Sequence, residues 1–373
     1  MGGELNVGII GCGNISAAYM SLAPLFRYIR LRACADIIPE TAKTRAGEFG
    51  LKALSVDDLV ADDGIDIVVN LTVPDAHFEV SRRALEAGKH LYSEKPFALS
   101  VVEGRELGRI ADESGLRIGS APDTFLGGSH QLARVLLDGG AVGEIKSGTC
   151  FVQGPGMEMW HPNPDFFFKP GGGPILDLGP YFISNLVHLL GPIRRVGAMS
   201  SSAAEYRTIT SEPRYGERIK VETPTTVHAL MEFHSGAQIV YCASWDVWKH
   251  GHSDMELYGG KGTLHVPDPN FFGGEVRMSE GSTYTNIARS WEHPLGRSNR
   301  GERANYRAAG LAEMAAAIFA GTPHRCSYAL ALHTVDVMTS ILASGENGRF
   351  VDITTECERP PPLGPEEAKT LLA

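Results

Sequence analysis

The short apolar run Leu5–Ile10 ends in Gly11-Cys12-Gly13-Asn14-Ile15-Ser16, and no other stretch restricts the fold so strongly. A glycine at position 11 permits a tight turn after a strand. One at position 13 lets the backbone approach a pyrophosphate with no Cβ in the way. Ser16 stands at the third fingerprint position, which needs only a small residue for close helix–sheet packing. A pyrophosphate would lie on the backbone of Gly13, Asn14 and Ile15, where the next helix begins. The second strand ends at Asp36, about twenty residues on, where the dinucleotide fingerprint places an acid. A carboxylate there accepts from the adenosine ribose hydroxyls and repels a 2′-phosphate, and Ile37 and Ile38 bring no cation to hold one. NAD is therefore expected in preference to NADP.

The first third of the chain alternates β-branched runs with helical stretches. Strands are expected at 5–10, 31–36, 65–71, 90–93 and 117–121, with helices at 15–30, 41–49, 77–87 and 101–114. That order implies right-handed crossovers and an α/β domain, a doubly wound parallel sheet of the Rossmann kind. The pattern changes near Pro122. Strand-like segments at 144–152, 194–201, 225–233, 237–244, 254–258 and 262–266 predict a largely antiparallel open sheet. Helices at 131–137, 174–190, 302–320 and 328–344 make this region α+β. The expected division is a dinucleotide-binding domain over 1–121 and a substrate-binding and oligomerisation domain over 122–373, since 373 residues exceed one compact core. The proline-rich stretch 359–365 reads as extended along the surface.

Charge narrows the partners. The formal net charge is −10. An anionic surface repels phosphate backbones and anionic lipid, so neither nucleic acid nor a membrane surface is expected to bind. The six cysteines lie far apart without a C-x-x-C pair, which suits reduced thiols. No signal-peptide pattern opens the chain, and no uncharged stretch approaches the roughly 20 residues of a membrane span. The cytoplasm is the expected location. The thirteen histidines form no H-E-x-x-H and no Cys/His cluster, so no metal is expected. No G-x-S-x-G elbow is present either.

In a doubly wound sheet, ligands lie at the carboxyl ends of the strands. Thr72, Pro74 and His77 follow the 65–71 run and are expected beside the nicotinamide half of the cofactor. His77 is equally readable as a helix-start residue with no ligand. The next strand ends in Ser93-Glu94-Lys95-Pro96. Further on, Gly171-Gly172-Gly173 opens a helix in which Asp177 and Tyr181, four residues apart, share one face. Ahead of it, Trp160-His161-Pro162-Asn163 either stacks on a ring and bonds a hydroxyl or is a rigid packing loop.

The Glu94-Lys95-Pro96 triplet, the glycine run with Asp177 and the two-domain layout resemble the Gfo/Idh/MocA family over essentially the whole chain. The name joins glucose–fructose oxidoreductase, inositol dehydrogenase and a rhizopine-catabolism protein. The resemblance implies an oxidoreductase that moves a hydride between nicotinamide and a hydroxyl or keto carbon of a sugar, glycoside or cyclic polyol. It places Lys95 against both the substrate hydroxyl and the nicotinamide ribose, with Glu94 beside the cofactor. It implies substrate or cofactor contacts at Asp123 and substrate contacts at Asp177 and residue 181, with Trp160 and His161 completing the pocket. Many members carry a histidine at that last position as general acid/base. This chain has Tyr181, as in the glucose–fructose oxidoreductase branch, and Asn185 where a second aspartate is frequent. A lysine facing a positive nicotinamide ring has its ammonium form disfavoured, so either Lys95 or Tyr181 can handle the hydroxyl proton. Tyr181 is otherwise a core aromatic and Asp177 a turn acid. Two other activities share the pattern: glycoside cleavage through transient ring oxidation, and NAD binding without catalysis. A homodimer or homotetramer is expected through the exposed sheet face.

Overall fold

The computed structural model describes residues 3–281 and 287–373. It divides into two compact units, one of Met1–Gly128, Glu292–Val335 and Leu363–Ala373, the other of Ser129–Trp291 and Asp336–Pro362.

The first unit is built on strands β1 (Leu5–Ile10), β2 (Ile29–Ala35), β3 (Lys52–Leu54), β4 (Ile67–Asn70), β5 (His90–Ser93) and β6 (Ile118–Ser120). Helices α1 (Ser16–Leu22), α2 (Pro39–Phe49), α3 (Val56–Ala61), α4 (Pro74–Glu86) and α5 (Val101–Ser114) connect them. The sheet runs β3-β2-β1-β4-β5-β6, with every pairing parallel. Strand order reverses at β1, so the ligand crevice falls at the carboxyl ends of β1 and β4. All four residues of β4 are fully buried, as a strand covered on both faces requires.

Three local differences from the sequence pattern have physical causes. Helix α1 stops at Leu22, well before residue 30, because Pro24 draws the chain into a one-turn 3-10 helix. Strand β3 and helix α3 are too short to show periodicity. Their markers are nevertheless present: Gly50 ends α2 at φ 66°, and the Ser55 hydroxyl caps α3 by accepting from the Asp58 amide at 3.0 Å.

The second unit begins in α6 (Gly128–Asp138) and continues through β7 (Ile145–Gln153) and α7 (Gly173–Leu190). Then follow β8 (Ile193–Ser201), β9 (Tyr206–Thr208), β10 (Arg218–Lys220), β11 (Thr226–Phe233), β12 (Gln238–Ser244), β13 (Met255–Gly259), β14 (Gly262–Val266), β15 (Val276–Glu280) and β16 (Ile287–Arg289). Helices α8 (Ala309–Ala320) and α9 (Tyr328–Asn347), strand β17 (Val351–Asp352) and helix α10 (Pro365–Leu371) complete the chain. Strands β9 and β10 form a separate hairpin, and the main sheet runs β16-β15-β14-β13-β7-β12-β11-β8-β17. Its pairings are antiparallel except for β7 with β12. Along β11, Val227, Ala229, Met231 and Phe233 point inward while His228 and Leu230 face solvent. Helix α7 packs on the inner face of β7, β11 and β12.

The single division at 121/122 does not describe the chain, because two C-terminal segments fold with the first unit. The Ser120 amide donates to the Cys326 carbonyl at 3.0 Å along the edge of β6. The Arg27 amide donates to the Leu371 carbonyl at 2.8 Å. The proline-rich stretch runs without helix or strand up to Pro365, with Pro361 and Pro362 exposed and Leu363 fully buried as an anchor. The helix expected from residue 302 begins only at Ala309, after Ala308 turns at φ 86°. Among the described residues, no helix is long and apolar enough to cross a membrane, and no group of three side chains is placed to hold a metal ion.

Candidate active site

In the first unit, the turn after β1 has the form a dinucleotide needs. Gly11 has φ 100°, and a Cβ there would lie 2.6 Å from the Leu71 carbonyl oxygen. At Gly13, no atom lies within 4 Å of where a Cβ would stand, so the turn is open at that point. Gly13 and Asn14 are exposed and Ile15 is half-buried, leaving this backbone approachable. Ser16 is fully buried, and its hydroxyl donates to the Gly13 carbonyl at 2.6 Å. Asp36 fixes the turn from the end of β2: its carboxylate accepts from the Cys12 amide at 2.8 Å and the Ile38 amide at 2.9 Å. The side chain stays partly exposed, beside exposed Ile37 and Ile38. These residues fit a dinucleotide, with Gly13 under the pyrophosphate and Asp36 at the ribose.

A cation that the sequence pattern did not single out also lies here. Arg45 of α2 reaches the Gly13 carbonyl at 3.4 Å and pairs with Glu48 at 2.6 Å.

The ends of β4 and β5 lie side by side, with Asn70 in register with Ser93. The Asn70 side chain organises the turn that follows. Its amide donates to the His77 carbonyl and the Ser81 hydroxyl, each at 3.0 Å, while its oxygen accepts from the Thr72 hydroxyl at 2.7 Å. Pro74 begins α4.

His77 does not face a cofactor: it is 1% exposed, with Nδ1 2.7 Å from the Pro96 carbonyl and Nε2 3.0 Å from the Thr72 carbonyl. Burial lowers its pKa below the ordinary histidine value, while the two carbonyls and Glu94 pull it up. Glu94 is likewise buried rather than turned to a ligand. Its oxygens accept from the Tyr19 hydroxyl at 3.0 Å and the Lys95 amide at 2.9 Å. Both side chains therefore brace the segment carrying Lys95, which is only half-buried.

Asp123 also departs from expectation. It is buried, and its Oδ2 accepts from the Ala308 amide at 3.0 Å and the Gly310 amide at 3.1 Å, capping the start of α8. Burial pushes its pKa up to about 6, against the pull of Arg307. The carboxylate serves the helix start and is closed to a substrate.

In the second unit, α7 carries Asp177 and Tyr181 one turn apart on one face, Asp177 half-buried and Tyr181 6% exposed. The glycine run is needed sterically: a Cβ at Gly172 would lie 2.4 Å from the Phe167 carbonyl oxygen, and Gly173 has φ 88°. Pro180, between the two side chains, has no N–H for the Leu176 carbonyl and interrupts the helix ladder in that turn. Asn185, one turn below Tyr181, is fully buried, and neither of its amide atoms has a partner.

The preceding loop presents Trp160, which is well exposed, edge-on to His161 at 5.4 Å between ring centroids. The His161 carbonyl accepts from Ser211 at 2.6 Å, and its Nδ1 accepts from the Asn163 amide at 3.1 Å. A neutral ring therefore carries its proton on Nε2. Burial lowers the His161 pKa, and the Asp177 carboxylate acts the other way.

A parallel β3-β2-β1-β4-β5-β6 sheet with this glycine turn and Asp36 defines a dinucleotide-binding protein of the Rossmann class. Comparison with known proteins narrows the class. Residues 5–121 match the profile of the oxidoreductase family with an NAD-binding Rossmann fold, and residues 130–265 match the GFO/IDH/MocA C-terminal domain. The chain belongs to the Gfo/Idh/MocA oxidoreductase family.

It is similar to dTDP-3,4-didehydro-2,6-dideoxy-alpha-D-glucose 3-reductase of Saccharopolyspora spinosa, 30% identical over 54% of this chain and 61% of the reductase. It is also similar to inositol 2-dehydrogenase of Rhizobium meliloti, 23% identical over 74% of this chain and 79% of that enzyme. Three curated relatives, the reductase among them, are matched over only 61%, 37% and 44% of their own length. Levoglucosan dehydrogenase, solved in complex with NADH, superposes with a TM-score of 0.79 at 21% identity, covering 95% of this chain and all of that one. At that identity the likeness shows the fold.

Proposed function

We propose that the protein transfers a hydride between nicotinamide and a hydroxyl or keto carbon of a sugar, glycoside or cyclic polyol, with NAD preferred. The observation that carries this reading is the bracing of Lys95. The residue follows β5, the strand beside β4, with its amide held by Glu94 and the neighbouring Pro96 carbonyl held by His77. When bound, the nicotinamide accepts or gives the hydride. Lys95 orients the reacting hydroxyl and relays its proton, Asp177 fixes a neighbouring hydroxyl, and Tyr181 is the second proton-handling group. Trp160 supplies an apolar face and His161 a hydrogen-bonding Nε2 to the same substrate. The named activities of the relatives, on a dideoxyglucose derivative and on inositol, agree with a polyhydroxylated ring.

The working form in this reading is a homo-oligomer. Leu230 and Val240, paired across β11 and β12, and Met199 on β8 form an exposed apolar strip on the outer sheet face that supports it.

A screen of sugars, inositols and glycosides with NAD and NADP, read by absorbance of the reduced cofactor, tests the activity. A substrate giving NADH and its keto product is the expected result. Failure of every hydroxylated ring in both directions would overturn the proposal.

A further inference from the structure

The sequence neighbours of Asp36 are apolar, Ile37 and Ile38, but the fold brings a cation to the same turn from the helix that follows. On α2, Ala42 and Ala46 are buried, and Arg45 sits at the edge of that stripe with its side chain 22% exposed. One guanidinium nitrogen, Nη2, donates to the Gly13 carbonyl at 3.4 Å, and the other, Nη1, donates to Glu48 at 2.6 Å.

Two opposite charges therefore flank the turn after β1. Asp36 grips it through the Cys12 amide and Arg45 through the Gly13 carbonyl, one residue further on. The thiols beneath the turn register both. A hydrogen bond between Cys12 and Cys34 is the largest influence on each, raising the pKa of Cys12 and lowering that of Cys34. After that bond and burial, Asp36 pushes both thiols up and Arg45 pulls both down. The carboxylate and the guanidinium thus act on one small region.

Neither contact exhausts the arginine. A guanidinium has five N–H donors in a rigid fork, and these two bonds use two of them. The bond to Gly13 is long. Glu48, with its side chain 48% exposed, forms a solvent-screened pair of the kind that holds weakly. The turn is also open, since no atom lies within 4 Å of where a Cβ would stand at Gly13. A phosphate is the group that suits the remaining donors, because its oxygens match the fork at two points. Asp36 repels that same group. The choice between a ribose hydroxyl and a ribose phosphate then depends on two residues, not on Asp36 alone.

We propose that Arg45 is a specificity-determining residue that recognises the 2′-phosphate of NADP. Asp36 sets the direction of the cofactor preference, and Arg45 limits its size, so NADP is disfavoured without being excluded. The inference rests on the placement of the adenosine ribose at Asp36 and adds a phosphate contact to it.

The test is calorimetric titration of the full chain with NAD and with NADP, for wild type, Arg45→Gln, Asp36→Asn and the double variant. Glutamine keeps a donor for the Gly13 carbonyl and Arg45 is partly exposed, so the turn stays formed, which thermal melting verifies. Arg45→Gln should weaken NADP by about tenfold or more, the scale of a charge-assisted hydrogen bond, and leave NAD within about twofold. Asp36→Asn should tighten NADP, and adding Arg45→Gln should cancel that gain. This second background keeps the comparison readable where NADP binds wild type too weakly to titrate. Lys43→Gln is the control: Lys43 is another cation of α2, exposed and paired with Glu40 at 2.7 Å, and its loss should change neither cofactor. Equal weakening of NAD and NADP by Arg45→Gln would place the cation on the pyrophosphate and overturn the proposal. So would an unchanged NADP affinity in both backgrounds, or an equal loss in Lys43→Gln, which would reduce the effect to the charge of the helix. A chain that still prefers NAD while Arg45→Gln has no effect loses this inference alone. Equal affinity for the two cofactors in wild type contradicts the ribose assignment beneath it.

Discussion

The imidazole of His77 lies 2.7 Å from the Pro96 carbonyl through Nδ1, and its opposite nitrogen lies 3.0 Å from the Thr72 carbonyl. The ring thus ties the turn after β4 to the segment carrying Lys95. A neutral imidazole has one N–H, and burial lowers the pKa, so at neutral pH one carbonyl receives a hydrogen bond. The shorter contact, to Pro96, is the one expected to carry the proton. His77→Phe keeps the ring shape and removes both nitrogens. Turnover should fall by about 10- to 100-fold, the scale of a small misplacement of a reacting group. His77→Asn, which retains a donor near the Nδ1 position, should recover most of that loss. Steady-state kinetics of the three proteins on a substrate from the screen decide it. Equal turnover in wild type and the phenylalanine variant would remove the positioning role.

Asp36 has two tasks, and replacing it should expose both. Its carboxylate holds the Cys12 and Ile38 amides, and in the proposed reading it also accepts from the adenosine ribose. Asp36→Ala should weaken NAD binding and narrow the preference over NADP, chiefly by removing repulsion of a 2′-phosphate. Asp36→Asn keeps an acceptor for one amide and should weaken NAD less. Calorimetric titration of both cofactors is the check. An NADP affinity equal to that for NAD in the wild-type protein would contradict the ribose assignment.

Acid should destabilise the fold through two buried histidines. Burial lowers the pKa of His130 and of His324 to about 4, and each ring contacts a backbone carbonyl, Phe271 at 2.8 Å and Ile118 at 3.0 Å. Their folded values lie below the ordinary value of 6.5. Between those limits the unfolded chain binds more protons, so stability falls as pH drops from 6.5 towards 4. The slope is at most about 1.4 kcal/mol per pH unit for each group. Asp123, pushed up to about 6, acts in the opposite sense and offsets roughly one histidine below that pH. Urea unfolding at pH 7 and pH 4.5 should show a net loss on acidification. His324→Gln, which keeps a donor for Ile118 and cannot ionise, should shrink it.

Much of the first unit was legible because its physics is local. The continuous apolar run at β4 and the glycine turn after β1 announce a parallel sheet and its ligand end. What was hidden depends on partners distant in sequence. Asp123 was expected to touch a ligand, but it caps a helix that begins at Ala309, through amides of residues 308 and 310. His77 and Glu94 sit in the expected motifs, yet their side chains turn inward to brace Lys95. Arg45, beside Gly13, and the cluster of Arg207 with Glu158 and Asp246 carry no motif at all. Glu158 from the 3-10 turn after β7, Arg207 from the middle of β9 and Asp246 just after β12 meet only when these elements are brought together. The assignment of Asp177 and Tyr181 to one face needed only the helical repeat. Their spacing shows nothing of which group moves a proton.

That question is settled by separating the lysine from the tyrosine. Lys95→Ala should lower turnover by about 10² or more, the scale of a lost acid/base group. It should change dinucleotide affinity far less, since the turn at Gly11–Gly13 and Asp36 is untouched. Tyr181→Phe keeps the ring, which is 6% exposed on α7, and removes only the hydroxyl. If the phenol is a proton-handling partner, turnover falls strongly with thermal stability near wild type. If it is a packing aromatic, both rate and stability stay close to wild type. If KM rises while kcat survives, the hydroxyl is a binding contact and the proton passes through Lys95 or His161. The pH profile for oxidation resolves the remaining ambiguity, because the rate rises as the base loses its proton and removing that base flattens the rising limb. A limb preserved in Tyr181→Phe and abolished in Lys95→Ala assigns the base to the lysine. The reverse pattern assigns it to the tyrosine and leaves Lys95 as the group that orients the hydroxyl.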